Sequence, residues 1–126
     1  MEDSIQSVLI LDKLVYDEFN FKRLGFKNDN NLDLDLNVNY GKLEDSDMYR
    51  VKLLVEGKKK DEYTLSVGIS GFFRVNSNVD KELEKELISR NAVAILLPYL
   101  RSEVSILTSQ PEMDSVMLPI LDVNKL

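Results

Sequence analysis

The stretch DEYTLSVGISGFFRVNSNVDKELEKELISR, residues 61–90, changes its period halfway along. Up to Val75 the apolar residues Tyr63, Leu65, Val67, Ile69, Phe73 and Val75 fall on one side of an extended chain, the pattern of a half-buried strand. Beyond it Leu83, Leu87 and Ile88 fall at helical spacing, behind Ser77 and Asp80, which read as a capping box. A strand gives way to an amphipathic helix here, so the fold is decided by what lies on either side.

Upstream the period stays at two. EFNFKRLGFK (18–27) alternates Phe19 and Phe21 with polar neighbours. LDLDLNVNY (32–40) sets Leu32, Leu34, Leu36, Val38 and Tyr40 against Asp33, Asp35, Asn37 and Asn39, and DMYRVKLLVE (47–56) aligns Tyr49, Val51, Leu53 and Val55. The links KNDNN (27–31), GKLEDSD (41–47) and GKKKD (57–61) are short and polar. Links of that length join antiparallel neighbours, whereas parallel crossovers need a dozen residues or more. The reading is four strands over about 18–75 in an antiparallel sheet with one apolar face. Asn31, Asp33 and Asp35 at two-residue spacing lack the glycine and terminal glutamate of an EF-hand loop, so they read as a solvated strand face and no metal is expected.

Downstream, Asn91 is placed to cap a second, longer helix that runs to about Ser109 and stops at Pro111. Strands first and helices (about 78–110) last is the α+β arrangement, two helices packed on one face of the sheet. In AILLPYLRSEVSILTSQ (94–110), with Val93 before it, Val93, Leu96, Leu97, Leu100, Val104 and Leu107 form one apolar stripe, enough to cover the sheet. Ile95, Tyr99 and Ile106 form a second, which the short helix, the tail or another subunit must cover. Pro98 should bend this helix. The segment from 111 to 126 is densely apolar, but Pro119 forbids a regular helix, so an extended tail lying on apolar surface is expected. With 126 residues the chain is read as a single domain, 1–126.

Composition narrows the function. The 22 acidic and 16 basic residues give a net charge of −6, which repels nucleic-acid phosphates and anionic membranes. No cysteine and no histidine are present, so thiolate chemistry and the commonest general base and zinc ligand are missing. The start MEDSIQSVLILDKL (1–14) opens on acidic residues where a secretory signal carries positive charge, so a cytoplasmic location is expected. The longest apolar run, Ala92 to Leu100, is too short for membrane insertion. GISG (68–71) lies inside a strand and is no phosphate loop, and no cofactor is expected.

GFFRV (71–75) closing the fourth strand, the capped acidic helix, LLPYLRSEVSILTSQ (96–110) and MLPILDV (117–123) together resemble the SecB family of protein-export chaperones. The resemblance spans about Val15 to Val123, and its specific part is Gly71–Val75, Leu97–Glu103 and Leu118–Val123. It implies an ATP-independent holdase, not an enzyme, that assembles as a homo-oligomer, dimer or tetramer, through strand edges and long helices. That assembly would cover Ile95, Tyr99 and Ile106. It also implies that unfolded polypeptide clients bind in apolar grooves, which fall here on Phe26, Leu34, Leu36, Met113, Met117, Leu118, Ile120 and Leu121.

The positions matching the carboxylates that dock the translocation motor SecA are Glu18, Lys22 and Ser66. Two of the three are not acidic, which argues against motor docking and towards a role like that of SecB-like members that guard an antitoxin. Phe26 is the only aromatic of a short linker, in keeping with a narrow client range. The alternative from another class is a small-molecule-binding or enzyme domain, with a pocket between sheet and helix served by Tyr40, Tyr49, Tyr63 or Glu103.

Overall fold

A computed structural model describes residues 8–76 and 79–118. Strands β1 (Leu9–Arg23), β2 (Leu32–Lys42), β3 (Met48–Lys59) and β4 (Tyr63–Val75) form one antiparallel sheet in the order β1-β4-β3-β2. The helices α1 (Lys81–Glu86) and α2 (Ala92–Leu107) follow, joined by a π-helical turn, Leu87–Asn91. The expected α+β architecture is present, with a first strand that begins earlier than the alternation placed it.

That strand starts at Leu9, not near residue 18, because two irregularities shift its register against β4, between Leu11 and Lys13 and between Tyr16 and Glu18. Each inserts an extra residue and flips the alternation. The residues opposite the inward positions of β4 are therefore Leu9, Leu11, Leu14, Tyr16, Phe19 and Phe21, spaced by two and three in turn. Both inserted residues are aspartates with partners on the sheet's other face. Asp12 accepts from the Arg74 guanidinium, and Asp17 accepts from Ser70 Oγ and faces Arg50 at 3.4 Å.

The core lies between the inner face of the sheet and the helical segment. Val51, Leu53, Val55, Val67, Ile69 and Phe73 meet Leu87, Ile88, Val93, Leu96, Leu100 and Val104, all of them buried. Burying each such side chain fully contributes about 1.5–3 kcal/mol before the entropy of ordering is counted. Gly71 sets the spacing between layers, since a Cβ there would lie 2.8 Å from Leu96 Cδ2 and 2.7 Å from the Phe73 ring. Tyr49 Oη donates to Glu84 at 2.7 Å and pins α1 to β3.

The helical segment departs from the expected pair of separately capped helices. Asp80 is the N-cap, its carboxylate accepting from Leu83 N–H, and the helix begins at Lys81 rather than near 78. Ser77, the other half of the expected capping box, lies outside the described residues. Asn91 has helical backbone angles and makes no side-chain cap, so no break separates the two helices. The Ala92 amide instead reaches back five residues to the Leu87 carbonyl, the widened ring of a π turn, where the successive residues Leu87 and Ile88 are both buried.

Candidate functional site

The first helical stripe is core as expected, with Val93, Leu96, Leu97, Leu100 and Val104 buried and Leu107 packed against them. The second is uncovered in the single chain, where Ile95, Tyr99 and Ile106 are 38%, 46% and 64% exposed. It continues onto the edge strand. Tyr16 Oη reaches the Tyr99 carbonyl at 3.4 Å, and the Tyr16 ring lies 5.2 Å from that of Phe19, itself half-exposed. Burial, helped by the charge of Glu103, pushes the Tyr16 phenol above its ordinary value. Phe19 therefore belongs to this surface, although its alternation reads as ordinary core. β1 is also an outer strand of the sheet, and no described strand pairs with the outer edge of its 15 residues.

A second apolar surface lies at the end of the sheet where β1 turns into β2. Phe26, on the linker between them, is 89% exposed, and Leu24 beside it is half-exposed. On β2, Leu34 is partly exposed, opposite Gly57, while Leu36 packs on the core. The start of the tail, Pro111 to Asp114, arrives at this end, and the rest runs back along α2, with Met117 and Leu118 beside Arg101 and Ser105. Val116 and Leu118 pack against the core, Met113 is half-buried, and Met117 is 83% exposed. The Val116 amide donates to Thr108 Oγ1, a buried hydroxyl just past the end of α2. Ile120 and Leu121 lie outside the described residues.

Polar contacts tie linker and tail together. Lys27 Nζ meets Asp114 at 2.9 Å, and one Arg23 nitrogen lies within 3.5 Å of the Pro111 and Glu112 carbonyls. The mutual hydrogen bond holds the Lys27 ammonium above and the Asp114 carboxyl below their ordinary values. Beneath the linker sits a buried ion pair that the sequence reading passed over. Glu62 Oε1 accepts from Lys59 Nζ at 2.8 Å and from Asn28 N–H at 3.0 Å. Burial pushes the Glu62 carboxyl up, but the two hydrogen bonds and the charges of Lys59 and Arg23 outweigh it, and its value falls below the ordinary one. The only signal in the sequence was a Lys three residues before a Glu, in a run, GKKKDEY, that reads as a solvated turn.

One cleft, about 480 Å³, is lined by strand residues alone, among them Asn20, Asp33, Asp35, Glu56, Lys58 and Ser66. It does not lie between sheet and helix, and Tyr40, Tyr49, Tyr63 and Glu103 do not line it. Among the described residues no group of three acidic, histidine or cysteine side chains could hold a metal ion. No described helix is long and apolar enough to cross a membrane.

The family described as "Preprotein translocase subunit SecB" matches residues 13–126. An uncharacterized protein of Methanocaldococcus jannaschii, MJ0357, is 31% identical over 99 residues. That match covers 74% of this chain and 62% of the relative, so the chain spans under two thirds of that protein's length. Among solved structures, the Mycobacterium tuberculosis Rv1957 SecB-like chaperone, in complex with a ChAD peptide from the Rv1956 HigA1 antitoxin, superposes with a TM-score of 0.75. It is 13% identical, and the superposition covers 94% of this chain and 95% of that one, which makes the likeness one of fold.

Proposed function

The chain belongs to the SecB family, and from that premise we propose that it is a chaperone that holds unfolded polypeptide segments without nucleotide. The observation that carries the reading is the exposure of two large apolar side chains, Phe26 on the β1–β2 linker at 89% and Met117 on the tail, beside Arg101 and Ser105 of α2, at 83%. An extended client contacts Phe26 and Leu34 at the linker end and Met113 and Met117 on the tail. Flexible methionines together with a fixed aromatic suit a site that accepts many sequences. The structural neighbour's antitoxin peptide supports polypeptide as the ligand class.

Assembly is the second half of the proposal. Ile95, Tyr99 and Ile106, with Phe19 and the outer edge of β1, meet a second copy, and a dimer or tetramer results. Docking of a translocation motor is disfavoured, because the Glu18 carboxylate is already held by Ser66 Oγ and Lys22 carries the opposite charge. A client such as an antitoxin fits better than general export, and the cytoplasm is the compartment in which such a client would be met. The proposed chemistry is binding, with no catalytic step.

Suppression of aggregation tests the reading. The protein, equimolar with several unrelated chemically unfolded clients, should slow their aggregation with no ATP present, and Phe26→Ala should weaken the effect. Failure to slow any of them, from a correctly folded preparation, would refute the proposal.

A further inference from the structure

Phe26 is almost wholly in solvent, so its own side chain cannot hold the linker that carries it. The linker is nevertheless gripped on both sides of Phe26 by a single residue. Ahead of it, the Leu24 and Gly25 amides donate to the backbone carbonyl of Glu62 at 2.7 and 3.2 Å. Behind it, the Asn28 amide donates to the Glu62 carboxylate, while Lys59, the ion-pair partner of Glu62, donates to the Asn28 carbonyl at 2.8 Å. Asn28 and Asn30 extend the contact, both donating their side-chain amides to the Lys60 carbonyl. Gly25 permits the approach, because a Cβ there would fall 2.3 Å from the Asp61 carbonyl oxygen.

We infer that Glu62 is the positioning residue of the client site: with Lys59 it clamps the β1–β2 linker on either side of Phe26 and so fixes that anchor before a client arrives. The inference rests on the client-holding reading above. An ion pair taken largely out of water is poor evidence for stability, since apolar residues of similar volume often do as well or better. What this pair supplies that apolar residues cannot is a simultaneous donor and acceptor for the backbone of Asn28. A pre-set anchor binds more tightly than one that must first be ordered. The grip reaches the tail as well, since Arg23 and Lys27, which flank the clamped turn, are the residues that contact Pro111, Glu112 and Asp114.

A double-mutant cycle on Glu62 and Phe26, read as affinity for a reduced and alkylated unfolded polypeptide, tests it. Phe26→Ala and Glu62→Ala should each weaken binding by about tenfold, and the double variant should be no weaker than Phe26→Ala alone. Hydrogen exchange at the Asn28 amide should speed up by at least about tenfold in Glu62→Ala while the sheet amides keep their protection. If Glu62→Ala leaves Lys59 unpaired and the chain fails to fold, the paired change Lys59→Met with Glu62→Leu removes the side-chain half of the clamp, the grip on Asn28, and fills the space. The same losses are expected from it.

Equal penalties from Glu62→Ala in the presence and absence of Phe26, or unchanged exchange at Asn28, would overturn the inference. If Phe26→Ala binds as tightly as the parent, it is the client-site reading that falls, and exchange at Asn28 still decides whether Glu62 clamps the linker.

Discussion

Tyr99 and Leu100 are neighbours on one helix, and replacing each by aspartate should have opposite consequences. Leu100 is fully buried between helix and sheet. Truncating such a leucine costs about 2–5 kcal/mol, and an unpaired buried carboxylate adds several more. Set against a total stability of about 5–15 kcal/mol, Leu100→Asp should leave no stable fold. Tyr99 is 46% exposed, and within one chain its ring faces solvent beside Ile95 and Ile106. Its replacement should cost the single chain no more than about 0.5 kcal/mol.

In the proposed assembly the same change acts twice, because a two-fold interface repeats each residue. A desolvated tyrosine at the centre of an interface is worth about 2 kcal/mol, so two contribute about 4, or roughly a thousandfold in dissociation constant. Light scattering across a hundredfold range of concentration, with far-ultraviolet circular dichroism melts alongside, separates the cases. Tyr99→Asp should melt like the parent and fall to monomer mass, and Leu100→Asp should lack a cooperative melt. A Tyr99→Asp protein with the parent's mass at every concentration would refute the assignment of the second stripe, and a cooperatively folded Leu100→Asp would refute the packing.

Other outcomes follow from the same geometry. Gly71→Ala puts a methyl within 2.8 Å of Leu96 and should destabilise the fold by about 1–3 kcal/mol in denaturant titration, whereas Gly41→Ala, with nothing within 4 Å, should not share that loss. The folded-state value of the Glu62 carboxyl lies below its ordinary 4.5, so its contribution is complete above that pH and is lost as pH falls through the lower folded value. Glu62→Gln should therefore show a shallower loss of stability on acidification than the parent, measured as melting temperature against pH. The Tyr49 phenol, pushed up to about 12 by burial and by its bond to Glu84, stabilises the fold fully below pH 10 and loses that contribution as pH rises towards 12. Absorbance titration should show a phenolate step near pH 12 that Tyr49→Phe removes.

The strands whose faces alternate without interruption were readable as written. β2, β3 and β4 each keep their inward residues two apart, and the change of period after Val75 marks where the sheet ends. The first half of β1 was not readable, because Asp12 and Asp17 are inserted residues and their bulges turn the inward spacing into alternating twos and threes. What singles them out, bonds to Arg74, Ser70 and Arg50, joins residues more than 30 apart in sequence. Asn91 misleads for a different reason. An asparagine before an apolar run is a good cap, but here the π turn carries the backbone through it.

The exposed stripe of Ile95, Tyr99 and Ile106 was legible from helical spacing, since two apolar faces on one helix cannot both meet one sheet. The Glu62–Lys59 clamp was not, because nothing local distinguishes a buried pair from a solvated charged turn until the linker is folded over it.

The most direct measurement is the solution mass of the protein by light scattering, alone and with an excess of a reduced, permanently unfolded polypeptide. A dimer or tetramer that gains mass with that client is the predicted result, with Phe26→Ala forming the same assembly and gaining less. A monomer whose mass the client does not change would contradict both the holding function and the role given to the uncovered helix face.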